Sequence, residues 1–295
     1  MFKSLRKSIP TTTTTATSNH RQRFSDYYSN WITTLTTTHL PNLRLHMSAS
    51  SPNLLSAHVE ILHHHFKSYY HTLDLATAAD VSQIIFPSGH RNPIELPFLW
   101  LGDLHPYVFT NLLRSFLIHQ NDSVSLNQND DVYDNDNNDD DYDDDDDDDV
   151  DEEIEVGESC EFLKKQWPLM NAWKMQSRKL TGRIDQIERG LRLMVPALMG
   201  RVRKAQAGFV EKVGSGVVTA AVAAAEMEEE MVGIVMDANR LRKDVISEIV
   251  NVTSVYQAAL FLQGLAQFLV GIRDRKLLKE FNKCNKSFIK SGSSS

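Results

Sequence analysis

The stretch Val255-Tyr-Gln-Ala-Ala-Leu-Phe-Leu-Gln-Gly-Leu-Ala-Gln-Phe-Leu-Val-Gly-Ile-Arg-Asp-Arg275 decides the fold. Its apolar residues follow helical spacing, and Ala258 to Ile272 is broken only by Gln263 and Gln267. That run falls short of the about 20 apolar residues a membrane span needs, so any membrane association is expected to be peripheral. Helical period continues upstream. Met231, Val235, Leu241, Val245, Ile249 and Val252 follow an Ala-rich stretch from Thr219 to Glu230. Before that, Phe162, Trp167, Met170, Trp173 and Leu180 open a stripe that Ile184, Ile187, Leu191, Val195 and Leu198 carry on. Pro168 and Pro196 are expected to bend or divide these helices, and Gly214-Ser-Gly216 to break one.

The first half reads the same way. Phe24, Tyr27, Tyr28, Trp31 and Leu35 lie on one helical face starting near Arg23, and the poor helix formers Thr33 to Thr38 and then Pro41 are expected to end it. Ser51-Pro52 predicts a helix start, and Leu54, Leu55, Val59, Leu62, Phe66, Tyr69, Tyr70 and Leu73 continue that helix to about Leu75. Phe86 to Pro93 is a Gly- and Pro-containing loop. Pro97 to Pro106 predicts two short helices hinged at Gly102 to Pro106, before an amphipathic run from Tyr107 to Leu117. No strand alternation is apparent. The expected fold is all-α, a bundle of long antiparallel helices with a disordered acidic insertion.

That insertion also explains the net charge of -8. Asp122 to Ser159 holds 20 Asp and Glu and no Lys or Arg, with Asp143 to Asp149 unbroken, and seven adjacent like charges repel. The rest of the chain has 31 basic against 19 acidic residues, a net of +12. The expected organisation is a flexible, basic, Thr-rich tail (1–22), a helical half (23–121), the disordered insertion (122–159), a second helical half (160–282) and a flexible tail (283–295). The N-terminal residues lack the apolar region of a secretory signal. Two cysteines, Cys160 and Cys284, give no disulfide framework, which makes a reducing compartment the default.

Chemistry-bearing patterns are weak. His58, Glu60, His64 and His71 share a helix, with Glu60 and His64 four apart and His64 and His71 seven apart, but no H-E-x-x-H occurs and a P-C-x-x-C partner is missing. Ordinary boundary histidines are the simpler reading, and no metal or cofactor is assigned. There is no G-x-S-x-G, no P-loop and no histidine after His119 to serve Cys284. Catalytic residues are therefore not assigned. Three basic clusters stand out instead: Arg201, Arg203 and Lys204; Arg240, Arg242 and Lys243; Arg273, Arg275 and Lys276. They read as candidate interaction residues for anionic partners, protein or membrane surface, since no DNA-binding signature accompanies them.

Three segments carry a family resemblance. Val255 to Asp274 resembles the C-terminal signature of the plant Delay of Germination domain, also found in the TGA class of transcription factors. Phe24 to Leu35 with Trp31, and Pro97 to Asp103 with Phe98, Trp100 and Gly102, look like its opening helix and tryptophan-glycine motif. The resemblance spans about 24 to 280, and Phe98 to Leu117, with its Leu101-Gly-Asp-Leu-His-Pro106, points to the inaperturate pollen branch. It implies a non-enzymatic factor that marks plasma-membrane domains where pollen apertures form and exine is not deposited. Such a factor is expected in the cytoplasm and at the peripheral plasma membrane of developing pollen, with protein partners that include the same family. The alternatives are a nuclear co-regulator and a dormancy-type, phosphatase-binding regulator. The basic zipper of the TGA factors is absent, so direct DNA contact is not carried over; residues 120–295 contain no histidine, so neither is the haem association of some members. Trp31, Phe98, Trp100, Gly102 and Phe268 are the expected core motif.

Overall fold

The computed structural model describes residues 23–49, 51–87, 90–126, 172–173 and 178–290. Its first helical unit is continuous where the sequence predicts a stop. Helix α1 (Phe24–Thr34) runs through a π-helical turn, Leu35–His39, into α2 (Leu40–Ser48). Threonine hydroxyls explain the loosening: Thr33, Thr34, Thr36 and Thr37 each donate to the carbonyl four residues back. The Leu40 N–H reaches Leu35 across the π-turn, and Pro41, which has no N–H to give, follows directly as the second residue of α2. Helix α3 (Pro52–Ala79) follows and extends past Leu75, and α4 (Ser82–Ile85) is a single turn.

Residues 96–106 correct the expectation of two hinged helices. A 3-10 turn, Leu96–Phe98, leads into a two-stranded antiparallel hairpin, β1 (Leu99–Trp100) and β2 (Asp103–Leu104), in register Leu99 with Leu104 and Trp100 with Asp103. Leu101 and Gly102 make the two-residue turn with φ of 47° and 85°, the left-handed pair such a tight hairpin requires. Gly102 has a second reason to lack a side chain: a Cβ there would lie 2.5 Å from Ile84 Cγ2.

Helix α5 (Tyr107–Leu126) continues beyond Leu117, so residues 122–126 of the acidic stretch extend a helix; residues 127–159 and Pro168 lie outside the described residues. Helix α6 (Arg178–Ser215) is 38 residues, about 57 Å long, and passes Pro196 undivided. It stops at Gly216, φ +67°, as the Gly-Ser-Gly reading expects. Thr219 then caps α7 (Ala220–Val252), accepting from the Val222 N–H. Ser254 and Gln257 form a reciprocal capping box for α8 (Val255–Gly271). Helix α9 (Arg275–Lys290) replaces the start of the predicted tail.

Helices α6 and α7 form an antiparallel hairpin stitched by Arg183–Glu248, Arg201–Asp237, Arg201–Glu230 and Lys212–Glu226, pairs that advance along one helix as they retreat along the other. Helix α3 packs on α7 and α8, while α8 also meets α2 and α5. One core joins both halves: Tyr28, Trp31, Leu62, Phe66 and Leu73 bury against Phe109, Leu113, Ile184, Val235, Ile249, Phe261 and Leu265. The halves thus share one hydrophobic interior. Of the expected core motif, Trp31 is fully buried; Trp100 and Phe268 are half-buried and Phe98 is exposed, its ring edge-on to Phe268 at 5.1 Å.

Candidate interaction site

The loop from His90 to Glu95 and the hairpin at 99–104 are held by arginines from distant parts of the chain. Arg91, with 1% of its side chain exposed, donates to Glu95 at 3.1 Å, Asp103, the Tyr28 hydroxyl at 2.7 Å and the Tyr69 hydroxyl at 2.7 Å. Arg273, following α8, donates to Glu95 Oε1 at 2.6 Å and to the His90 carbonyl at 3.1 Å. Asn92 adds bonds to Glu95 and to the Ile272 carbonyl. Two carboxylates with essentially no solvent contact are therefore answered by two guanidinium groups. Burial raises the Tyr28 phenol to about 12, against the pull of Arg91 and Arg273, and drives Tyr69 and Tyr70 well above the ordinary range.

Arg242 corrects the sequence reading most sharply. It was expected on a basic surface, yet it is completely buried on α7. Its guanidinium donates to the main-chain carbonyls of Trp100, Leu101, Asp103 and Leu104, and to Asn239 Oδ1 at 2.7 Å; Asn239 in turn donates to Asp74 at 2.8 Å. The hairpin's short ladder leaves carbonyls without sheet partners, and Arg242 supplies their donors from 138 residues away. Burial lowers its pKa, opposed by Asp103 and Tyr70. Beside this junction lies a void of about 10 Å³, lined by Tyr28, Phe66, Tyr70, Arg91, Asp103 and Leu269. That is room for nothing larger than a water, so the cluster works as a lock between halves.

The remaining basic candidates separate by exposure. Arg201 is committed to Glu230 and Asp237, and Arg273 to the junction. Arg203, Lys204 and Arg240 are exposed on the α6–α7 hairpin, Lys243 is half-buried, and Arg275 and Lys276 are exposed at the start of α9. Sequence analysis missed Arg91, Glu95 and Asp103. Their one signal was the placement of isolated charges in an otherwise apolar stretch, with Arg91 and Glu95 four apart.

The histidine candidates do not converge. His58 is half-buried, its ring 3.9 Å from His46 and its Nδ1 beside the Leu54 carbonyl. Glu60 and His64 line a shallow exposed groove with His39 and His65, and His71 is exposed elsewhere on α3. No group of three His, Cys, Asp or Glu positioned to hold a metal occurs among the described residues. Other histidines instead pack into the fold: His65 stacks on Trp31 at 4.8 Å, His63 meets Ser247, and His90 sits edge-on to Phe24 and Tyr28. Burial pushes all three down to about 4.

The family model described as seed dormancy control matches residues 39–115, which run from the end of the π-turn into α5 and include Arg91, Glu95 and Asp103. That match is narrower than the span the sequence resemblance covers. Protein INAPERTURATE POLLEN1 of Arabidopsis thaliana is 43% identical over 282 residues, covering 88% of this chain and 93% of that protein. The INAPERTURATE POLLEN 1 homolog of Oryza sativa subsp. japonica is 28% identical over 277 residues, covering 90% of this chain and 91% of that protein. With 43% identity over 88% of its length, and with the seed dormancy control match at residues 39–115, the chain belongs to the inaperturate pollen family of plant proteins.

Proposed function

We propose that this chain is a non-enzymatic scaffold required for pollen aperture formation, marking plasma-membrane domains where exine is not deposited. The single observation that carries the reading is the 43% identity to the Arabidopsis protein over 93% of that protein's length. The form of the site agrees with it. A catalyst would need reactive groups opening into a cleft, whereas the buried charges here pair with one another around a void of about 10 Å³. What faces solvent is a set of cations suited to anionic partners: other proteins, including members of the same family, and an anionic membrane surface. No direct DNA contact is assigned, and the chain works in the cytoplasm and at the peripheral plasma membrane of developing pollen.

The test is a fluorescent fusion expressed from the native promoter in developing anthers, scored beside loss-of-function pollen. Discrete plasma-membrane lines or spots, with apertures missing in the mutant, are expected. Uniform nuclear signal with normal apertures would replace this reading with the nuclear co-regulator.

A further inference from the structure

Among the described residues, helix α9 makes no extended packing contact with another element, although the helix before it is among the most buried in the protein. The transition between them is fixed. Arg273 is clasped by Glu95 and the His90 carbonyl, and Asn92 holds the Ile272 carbonyl, so α8 ends bolted to the junction. The chain then bends by 44°, and Asp274 starts α9 by accepting from the N–H groups of Lys276 at 2.8 Å and Leu277 at 2.9 Å. The two backbone donors hold the Asp274 carboxyl below its usual range. A bracket therefore fixes the start of α9 at 44° to the axis of α8.

The helix itself is two-faced. Leu277 and Phe281 are 43% and 42% exposed, and with half-buried Leu278 they occupy one arc. At roughly 100° per residue, Arg275, Lys279 and Lys283 fall on the opposite side and Lys276 flanks them. The sequence continues the same register to the helix end, with Cys284, Phe288 and Ile289 at apolar positions and Lys286 and Lys290 at basic ones. Six basic residues stand against one acidic residue, Glu280. Basic on one side and Leu/Phe on the other is the composition of a helix that lies in a membrane interface.

Resting on the membrane-associated reading above, we propose that α9 is the chain's lipid-contacting element, lying on an anionic bilayer with Leu277, Leu278 and Phe281 among the acyl chains and its lysines among the headgroups. The acidic stretch of this same chain is the rival occupant. It complements the lysines but not the apolar face, since Asp139 to Asp149 offers a lone aromatic, Tyr142, in a run of carboxylates. An anionic bilayer answers both faces at once.

The test uses the full chain in flotation with phosphatidylcholine vesicles, with and without phosphatidylserine. Wild type is expected to float with the phosphatidylserine vesicles alone, and less so as salt rises. L277D/F281D and K276E/K279E/K283E are each expected to weaken binding on the order of a hundredfold, with an unchanged melting curve because α9 is outside the core. Binding that survives L277D/F281D would overturn insertion. Absence of wild-type binding that appears when Asp143 to Asp149 are changed to Asn would make the acidic stretch the occupant, and absence in both would overturn the proposal outright. The fusion experiment keeps the two readings apart. An L277D/F281D fusion that still reaches plasma-membrane lines contradicts the α9 proposal alone, whereas a nuclear wild-type fusion with normal apertures contradicts the scaffold.

Discussion

Arg242 and Lys276 have the same charge and both stand on long helices, yet one is completely buried and the other exposed. What separates them is the company each keeps. Arg242 meets four main-chain carbonyls that a two-residue hairpin cannot satisfy by itself, and Arg91 meets two carboxylates and two phenols. Lys276 stands on a helix that, among the described residues, has no extended packing partner. Arg242 and Arg91 spend their donors inside the protein, whereas Lys276 presents its charge to solvent. A charge cluster read from sequence cannot be assigned to either role until the acceptors are placed.

The comparison breaks most severely at Arg91. Arg91→Ala leaves Glu95 and Asp103 buried with their main cation gone, at an expected cost of about 3 to 5 kcal/mol, read as a large loss of Tm or of folded protein. Arg242→Met keeps the volume but strips donors from the hairpin carbonyls; a cost of about 3 kcal/mol is expected by denaturant titration, and Arg242→Lys should recover little because one ammonium cannot span that set. Gly102→Ala tests the hairpin from the other side. Its φ of 85° and the 2.5 Å approach to Ile84 predict about 2 to 3 kcal/mol of destabilisation.

Acid should loosen the same region. His63, His65 and His90 are held down to about 4 by burial, so the folded state prefers them neutral while the unfolded chain protonates near 6.5. Their neutral packing is therefore fully compatible with the fold above pH 6.5, and stability falls as pH drops from about 6.5 towards 4. A Tm series across that window is expected to decline, and His90→Phe should flatten part of the slope. At the small end, Lys276→Ala with Lys279→Ala should move stability by less than about 0.5 kcal/mol. If these exposed changes destabilise the fold as Arg242→Met does, the division between inner and outer cations fails.

Much of the architecture was legible because it is local. The apolar run from Val255 marks α8, Gly216 ends α6, and three- and four-residue apolar spacing marks α3 and α7. The misreadings share a cause. Pro41 looks like a stop, but threonine back-bonding and the π-turn just before it let the helix run on through it. The hairpin at 99–104 shows no alternation, since each strand is two residues long and its carbonyls depend on Arg242, far away in sequence. Arg242 itself sits between Arg240 and Lys243, and helical geometry sends only Arg242 fully inward. Gly102, by contrast, was picked out by motif alone, and its positive φ supplies the physical reason.

The most direct test of the account is complementation of pollen lacking this protein. The wild-type chain, imaged as a fusion, should restore apertures from discrete plasma-membrane domains. The folded triple variant K276E/K279E/K283E, present at the same level, should not. Restoration by neither, with wild-type signal confined to the nucleus, would contradict the scaffold reading at its root.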